Sequence, residues 1–99
     1  MPSIKHEGKL RQLKEKYENM GFLCKKGCPL YDPQLHNFAL IDLCCFRQDG
    51  ESLALEIEQS GKGVLKNASD LLRFKRIFKG RVCQLTPEQH EEQSCDDFK

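Results

Sequence analysis

The 99-residue chain contains no tryptophan, only two methionines, and no run of apolar residues near the roughly 20 that cross a bilayer. The sequence therefore predicts no membrane-spanning helix. The first seven residues lack the apolar centre of a secretory signal, so we expect an intracellular, cytoplasmic protein with no membrane partner. The remaining composition, 38% hydrophobic and 31% charged, suits one small folded domain rather than a disordered chain.

Charge is unevenly distributed along the chain, although its net value is only +1. The last twelve residues carry five acids and one base, a net charge of −4, which leaves +5 on residues 1–87. A net positive charge on this part of the chain is compatible with binding a polyanion such as nucleic acid. We therefore predict a folded domain over 1–87 and an acidic C-terminal tail over 88–99, with the tail frayed or forming a loose helix.

Six cysteines are a high number for a chain of this length. Three interpretations are open: disulfides, a zinc site, and free buried thiols. The spacing of Cys24 and Cys28 resembles half of a zinc site, but no second pair at useful spacing completes it. Disulfides suit a secreted protein or an intracellular thermophile protein. Free and mostly buried thiols therefore agree best with the intracellular expectation.

Hydrophobic periodicity predicts six elements in the order α-β-β-β-α-β. Apolar residues at spacings of three and four predict helices over about 4–20 and 64–78. Strands are predicted over 22–25, 37–46, 51–58 and 81–85, with a proline-containing loop between the first two. The second strand is nearly all apolar, as is typical of a central strand covered on both faces. We therefore expect a single α/β domain whose mixed sheet is flanked by helices.

Acidic residues interrupt the apolar strands of the predicted central hairpin. Asp42 lies in the middle of the second strand, and Glu56 and Glu58 share one face of the third. A two-residue turn would place Asp42 and Glu56 on opposite faces of the hairpin, whereas a three-residue loop places them directly opposite each other. We predict the three-residue loop, because it puts Gly50 at the left-handed position of a common hairpin type.

Three carboxylates on one hairpin face repel each other unless a metal ion or basic side chains neutralise them. Oxygen ligands of this kind suit Mg²⁺ or Mn²⁺, which activate water and stabilise leaving oxygens in phosphodiester hydrolysis. The structural alternative is that Glu58 lies at the solvated strand end and Asp42 pairs with a lysine. We do not expect a histidine to join the acids, since all three are predicted to be solvated: His6, His36 and His90.

The hairpin and the elements that follow it are similar to a known family. Residues 41–42 (ID), 53–62 (LALEIEQSGK) and 80–82 (GRV), with a helix between the last two, resemble the core of the PD-(D/E)xK nuclease superfamily. The similarity is to archaeal Holliday junction resolvases and to small archaeal or plasmid-type nuclease-like domains. The resemblance implies a restriction-endonuclease-like fold, DNA as the partner, and Mg²⁺ or Mn²⁺ as the cofactor.

The resemblance also assigns roles to individual residues. Asp42 and Glu56 match the two metal-binding acids of the family. Glu58 stands where the family has its lysine, which positions the attacking water and stabilises negative charge. We keep Glu58 among the catalytic and metal-binding residues and expect Lys62, or else Lys66, to supply the missing charge. Further candidates are Glu7 as an extra acid on the first helix and, for DNA binding, Lys62, Lys66, Arg73 and Arg76.

The sequence leaves three functions open. The leading one is a metal-dependent endonuclease acting on branched or structured DNA, as a homodimer because symmetric cleavage of two strands needs two active sites. The second is a catalytically inactive nucleic-acid-binding or adaptor module of the same fold, which Glu58 in place of lysine favours. The third is a small structural protein whose cysteines bind zinc or form disulfides.

Overall fold

A computed structural model describes residues 3–99, so the first two residues of the predicted 1–87 domain lie outside the described part. The predicted order of six elements is confirmed, and a short helix and a 3₁₀ turn follow the last strand. No helix in residues 3–99 has the length and apolarity needed to span a bilayer. The elements are α1 (Ile4–Asn19), β1 (Leu23–Asp32), β2 (Asn37–Phe46), β3 (Ser52–Ile57), α2 (Val64–Phe78), β4 (Arg81–Leu85), α3 (Glu91–Ser94) and the 3₁₀ turn (Asp96–Phe98).

The four strands form one mixed sheet in the order β1-β2-β3-β4. The first two neighbour pairs are antiparallel, whereas β3 and β4 are parallel, with α2 as the crossover between them. The side chains of α1 and of the C-terminal segment pack on one face of the sheet, and those of α2 pack on the other. The chain is therefore a small α/β domain with helices on both sides of a mixed sheet.

The hairpin between β2 and β3 has the predicted three-residue loop. Leu43 lies opposite Leu55, and the N–H of Arg47 donates to the carbonyl of Glu51 at 2.9 Å to close the loop. Gly50 adopts a φ of 93°, a left-handed conformation that residues with a Cβ rarely take. The predicted register of the hairpin is thereby confirmed as far as the Leu43–Leu55 pair, one residue before Asp42 and Glu56.

Strand β1 is longer than the sequence predicted. We expected a short strand and then a proline-containing loop, but the strand continues to Asp32. Pro29 is tolerated because β1 is an edge strand with one hydrogen-bonded neighbour. Gly27 has a φ of 64° and changes the direction of the chain, so Leu30 packs toward α2 whereas Cys24 packs toward α1.

The C-terminal segment contains the short helix α3 and packs on the domain, so of the two expectations for it, a frayed tail or a loose helix, the frayed tail is wrong. The Tyr17 hydroxyl donates to the buried Glu91 carboxylate at 2.7 Å, and the Phe98 ring contacts the Tyr17 ring edge-on, with 6.2 Å between their centroids. Asp97 accepts a hydrogen bond from the N–H of Val82 at 3.1 Å, which satisfies a donor on the edge strand β4.

Four of the six cysteines form disulfides, so the expectation of free thiols is wrong for those four. Cys24 and Cys45 are opposite each other on β1 and β2, with 4.1 Å between their Cα atoms. Cys83 on β4 bonds to Cys95, which follows α3 and has its Cα 5.5 Å away. Disulfides persist in oxidising compartments and inside hyperthermophiles. A cytoplasmic location therefore stays a prediction.

Candidate active site

An acid pair lies where β2 separates from β3. The ladder between these strands ends at the Leu43–Leu55 pair, and beyond it carboxylates take over the hydrogen bonds. The N–H of Asp42 donates to Glu56 Oε1 at 2.6 Å, and the N–H of Ile57 donates to Asp42 Oδ2 at 2.8 Å. Each acid is thus held by the backbone of the neighbouring strand, in the fork between the two strands.

A change of face in β2 explains why Asp42 points into the fork. Ile41 packs toward α2, whereas Leu43 packs toward α1. Residues two apart on a regular strand share one face, so the chain must twist between them. The Asp42 side chain lies at this twist, between the two faces and beside β3. The sequence showed the apolar run but carried no signal for the twist.

The carboxyl group of Glu56 has a strongly raised pKa. Its side chain is only 3% exposed, and burial, followed by the negative charge of Asp42, raises its pKa to about 8. The charge of Lys66 and the hydrogen bond from Asp42 offset only part of this effect. At neutral pH the Glu56 carboxyl is therefore mostly protonated, and a cation placed at the fork would ionise it.

Histidine 6 completes the polar contacts of Asp42, although the sequence predicted it to be solvated. His6 Nε2 lies 3.3 Å from Asp42 Oδ2, and the His6 side chain is only 18% exposed. The structural alternative named a lysine as the partner of Asp42, and the structure has an imidazole in that place. Glu7, predicted as an extra acid of the site, contacts His6 Nδ1 at 3.8 Å and Lys26 Nζ at 3.1 Å.

A sequence signal for His6 was present. It precedes Leu10, Leu13 and Tyr17 by four, seven and eleven residues, so it extends the buried stripe of α1 by one turn. A polar residue on a helix face that packs on the sheet must meet a partner there.

Glu58 binds to the loop before α2 instead of joining the acid pair. Its carboxylate accepts hydrogen bonds from the N–H and hydroxyl of Ser60, at 3.2 and 3.0 Å, and from Asn67 Nδ2 at 2.9 Å. The Ser60 hydroxyl is the main cause of a lowered Glu58 pKa. The Glu58 carboxylate is thus ionised, and its hydrogen-bond partners come from this loop and from the first turn of α2.

The acid pair opens into a groove of about 460 Å³ between the starts of the two long helices. His6 comes from the first turns of α1, and Lys66 and Asn67 come from the first turn of α2. Helix N-termini carry partial positive charge and free N–H groups, which favour anions. The groove therefore has Asp42 and Glu56 at its base, and Lys66, the starts of the two helices and the Glu58 carboxylate around them.

The predicted basic residues occupy different surroundings. Lys66 lines the groove, and its Nζ lies 3.1 Å from Asp70 Oδ2, whereas Lys62 is exposed on the preceding loop and does not line it. Arg73 is buried against the equally buried Asp32, with 3.3 Å between Nε and Oδ2, and Arg76 contacts the same atom at 2.8 Å. Both arginines thus have a structural partner, and DNA contacts by them stay predictions.

The donor set at the fork fits a hard divalent cation that binds together with a phosphate. Within residues 3–99, no three His, Cys, Asp or Glu side chains gather closely enough to hold a metal ion. Mg²⁺, however, is commonly bound through one or two carboxylates together with waters and substrate phosphate oxygens. Asp42 and Glu56 would supply two carboxylates, and the negative charge that burial disfavours on Glu56 is the charge that a cation would stabilise.

Comparisons with protein-family models, with curated proteins and with solved structures found no match to this chain. The fork and its groove are therefore the features of this chain that indicate a function.

Proposed function

We propose that this chain is a Mg²⁺- or Mn²⁺-dependent endonuclease with a restriction-endonuclease-like domain. Its substrate would be DNA, and branched or structured DNA in particular. The observation that carries the proposal is the pair formed by the half-buried Asp42 and the buried Glu56 at the base of an open groove. Two adjacent carboxyl groups destabilise a fold when both are charged, so their placement beside an open groove is best explained by a cation that binds there.

The side chains and helix ends around the fork would have separate roles in phosphodiester hydrolysis. Asp42 and Glu56 would hold the metal, which supplies Lewis-acid activation of water and neutralises developing negative charge. The Lys66 ammonium and the N-terminal N–H groups of α1 and α2 would attract the phosphate. His6 would orient Asp42 through its 3.3 Å contact.

Similarity to the PD-(D/E)xK pattern supports this proposal in two respects, the order of the helices and strands and the positions of the two acids. Hydrogen bonds between β2 and β3 bring the two matching acids together, and the parallel β3–α2–β4 unit follows them. The departure is Glu58 at the lysine position, and Lys66 is the cation that lines the groove. Homodimer formation, which would allow both strands of a duplex or junction to be cut, is part of the proposal.

A catalytically inactive DNA-binding module of the same fold is the second candidate. The observation that favours it is the Glu58 carboxylate, which binds Ser60 and Asn67 and cannot replace a lysine in stabilising negative charge.

The test is cleavage of supercoiled plasmid, single-stranded DNA and a four-way junction with millimolar Mg²⁺ or Mn²⁺. The Asp42→Asn variant keeps the shape of the side chain and should cut at least a hundredfold more slowly, equivalent to a loss of about 3 kcal/mol. Glu51→Gln, at an exposed position in the hairpin loop, is the matched control and should cut like the parent. Equal cleavage by the parent and Asp42→Asn would refute the proposed site.

The two lysines separate the nuclease from the binding module. Lys66→Ala should reduce cleavage about a hundredfold with little change in DNA affinity, as expected when one electrostatic stabiliser is lost. Lys62→Ala should leave cleavage within a few-fold of the parent, because this side chain lies outside the groove lining. A parent protein that binds the junction but cleaves none of the three substrates with either metal would favour the inactive module.

A further inference from the structure

An uncovered apolar surface lies on the far half of the β1–β2 hairpin. Tyr31 is opposite Phe38 and Pro29 is opposite Leu40, so the four side chains share one face of the sheet. We refer to these four residues as the hairpin platform. Phe38 is 72% exposed, Leu40 is 63% exposed and Tyr31 is 46% exposed. The platform is thus open to solvent over most of its area.

The platform is rigid because the opposite face of the same strands is buried. Leu30, Ala39 and Ile41 belong to the core beneath α2. The Tyr31 and Phe38 rings contact each other, with centroids 5.0 Å apart and planes inclined at 47°. Exposed aromatic side chains on neighbouring strands of a rigid sheet are the surface on which unpaired nucleobases stack.

The size of the platform argues against a stable protein partner on this surface alone. Its three largest side chains expose roughly 300–400 Å² in total, given the area that such side chains offer. A stable protein interface needs about 800 Å² from each partner. A flat nucleobase needs far less area, and each stacked base contributes about 1–3 kcal/mol.

The platform is continuous with the groove that holds the acid pair. Leu40 belongs to the platform and also lines the groove, two residues before Asp42. Phe38 and Asp42 are four residues apart on one strand, a distance of roughly 13 Å. A stacked DNA strand rises about 3.4 Å per nucleotide, so the rings lie about four nucleotides or fewer from the acids.

We propose that the hairpin platform binds unpaired bases of DNA by stacking them on Phe38 and Tyr31. Together with the proposed function, on which this step rests, the platform would select DNA whose bases are unpaired within about four nucleotides of the cut. Flaps, gaps and distorted junctions have such bases. A continuous duplex does not, because its bases already stack on one another.

The absence of tryptophan from the chain allows a direct test. Phe38→Trp introduces a single tryptophan whose fluorescence should be quenched when a base stacks on it. The protein is titrated in EDTA, to prevent cleavage, with an unstructured oligothymidylate and with a blunt duplex hairpin of equal length. We expect quenching by the oligothymidylate and little by the duplex. Leu72→Trp, at a position 63% exposed on α2, is the control and should be quenched by neither.

Affinity measurements complete the test. In fluorescence anisotropy with labelled oligothymidylate, Phe38→Ala and Tyr31→Ala should each weaken binding about 5- to 100-fold. Their affinity for the duplex should stay within twofold of the parent. Both side chains are exposed, so neither variant removes a core contact.

Three results would overturn the inference. They are equal quenching by oligothymidylate and duplex, unchanged affinity of Phe38→Ala for the oligothymidylate, and a parent dimer that Phe38→Ala dissociates in sedimentation. The last result would assign the platform to a second copy of the chain. Because these measurements use no metal, they are independent of cleavage. Quenching without cleavage would refute the proposed nuclease alone, and cleavage without quenching would refute the platform alone.

Discussion

The buried carboxyl of Glu56 predicts a stability that falls as the pH rises. Its pKa is about 8 in the folded protein, against an ordinary value of 4.5. Below pH 4.5 both the folded and unfolded states bind the proton, so Glu56 has no effect. Between pH 4.5 and 8 only the folded state keeps it, so the free energy of unfolding decreases with pH. The difference of about 3.5 pKa units corresponds to a ceiling of about 5 kcal/mol.

The perturbation is Glu56→Gln, which keeps the hydrogen-bonding shape and removes the ionisable proton. In EDTA, the variant should gain stability relative to the parent by at least about 2 kcal/mol between pH 5 and pH 8.5. For a domain of this size that difference corresponds to roughly 10 °C in Tm. Thermal unfolding followed by circular dichroism measures both proteins across this range.

The control is Glu58→Gln, because the pKa of Glu58 is lowered by its hydrogen bonds and therefore lacks the same trend. Millimolar Mn²⁺ at pH 8.5 should raise the Tm of the parent, since binding to the folded state alone stabilises it. The same addition should leave Glu56→Gln nearly unchanged. Parallel pH curves for the parent and Glu56→Gln would refute the reasoning, whatever Mn²⁺ does.

Two further predictions concern the fold. Alkylation of the unfolded but unreduced chain should label two cysteines, Cys28 and Cys44, as mass spectrometry would show, and labelling of all six would contradict the disulfides. Gly80→Ala should lower the Tm, because its Cβ would meet the backbone oxygen of Ser52 at 2.8 Å. Gly8→Ala, with nothing within 4 Å of its Cβ, should stabilise α1 by about 0.5–1 kcal/mol, and the reverse order of the two Tm values would refute this account.

The parts of the fold that the sequence predicted depend on local chemistry. The hairpin register followed from Gly50, because a left-handed residue selects one loop type and thereby one pairing of strands. Helix α2 and strand β4 followed from their apolar spacing and were predicted over 64–78 and 81–85, where the structure has them. In these elements the local preference and the tertiary environment favour the same conformation.

The parts that the sequence did not predict depend on contacts between distant residues. Pro29 indicates a loop by local propensity, but an edge strand has no need of its missing N–H. The disulfides required knowledge of which cysteines become neighbours, and the Cys24–Cys45 pair is set by the β1–β2 register. That register crosses a loop whose conformation the sequence left undetermined.

The candidate site also combines a feature set by local chemistry with one set by a contact between distant residues. The pairing of Asp42 with Glu56 needed only the hairpin, so it could be predicted. The contact of His6 with Asp42 joins the first helix to the second strand across 36 residues. Only the docking of α1 on the sheet creates this contact, and the distribution of polar residues along α1 could suggest it but not specify it.

The sign of the Glu56 effect separates a functional explanation of the acid pair from a structural one. A structural ion pair stabilises the folded state, so removing one of its charges lowers stability. The Glu56 carboxyl has the opposite character, because its burial beside Asp42 raises its pKa and makes ionisation unfavourable in the folded protein. Folding therefore gives no reason for an ionisable group at this position, whereas a groove that binds a cation does. Glu56→Gln should therefore be more stable than the parent at pH 8.5, and its Tm should no longer rise when Mn²⁺ is added.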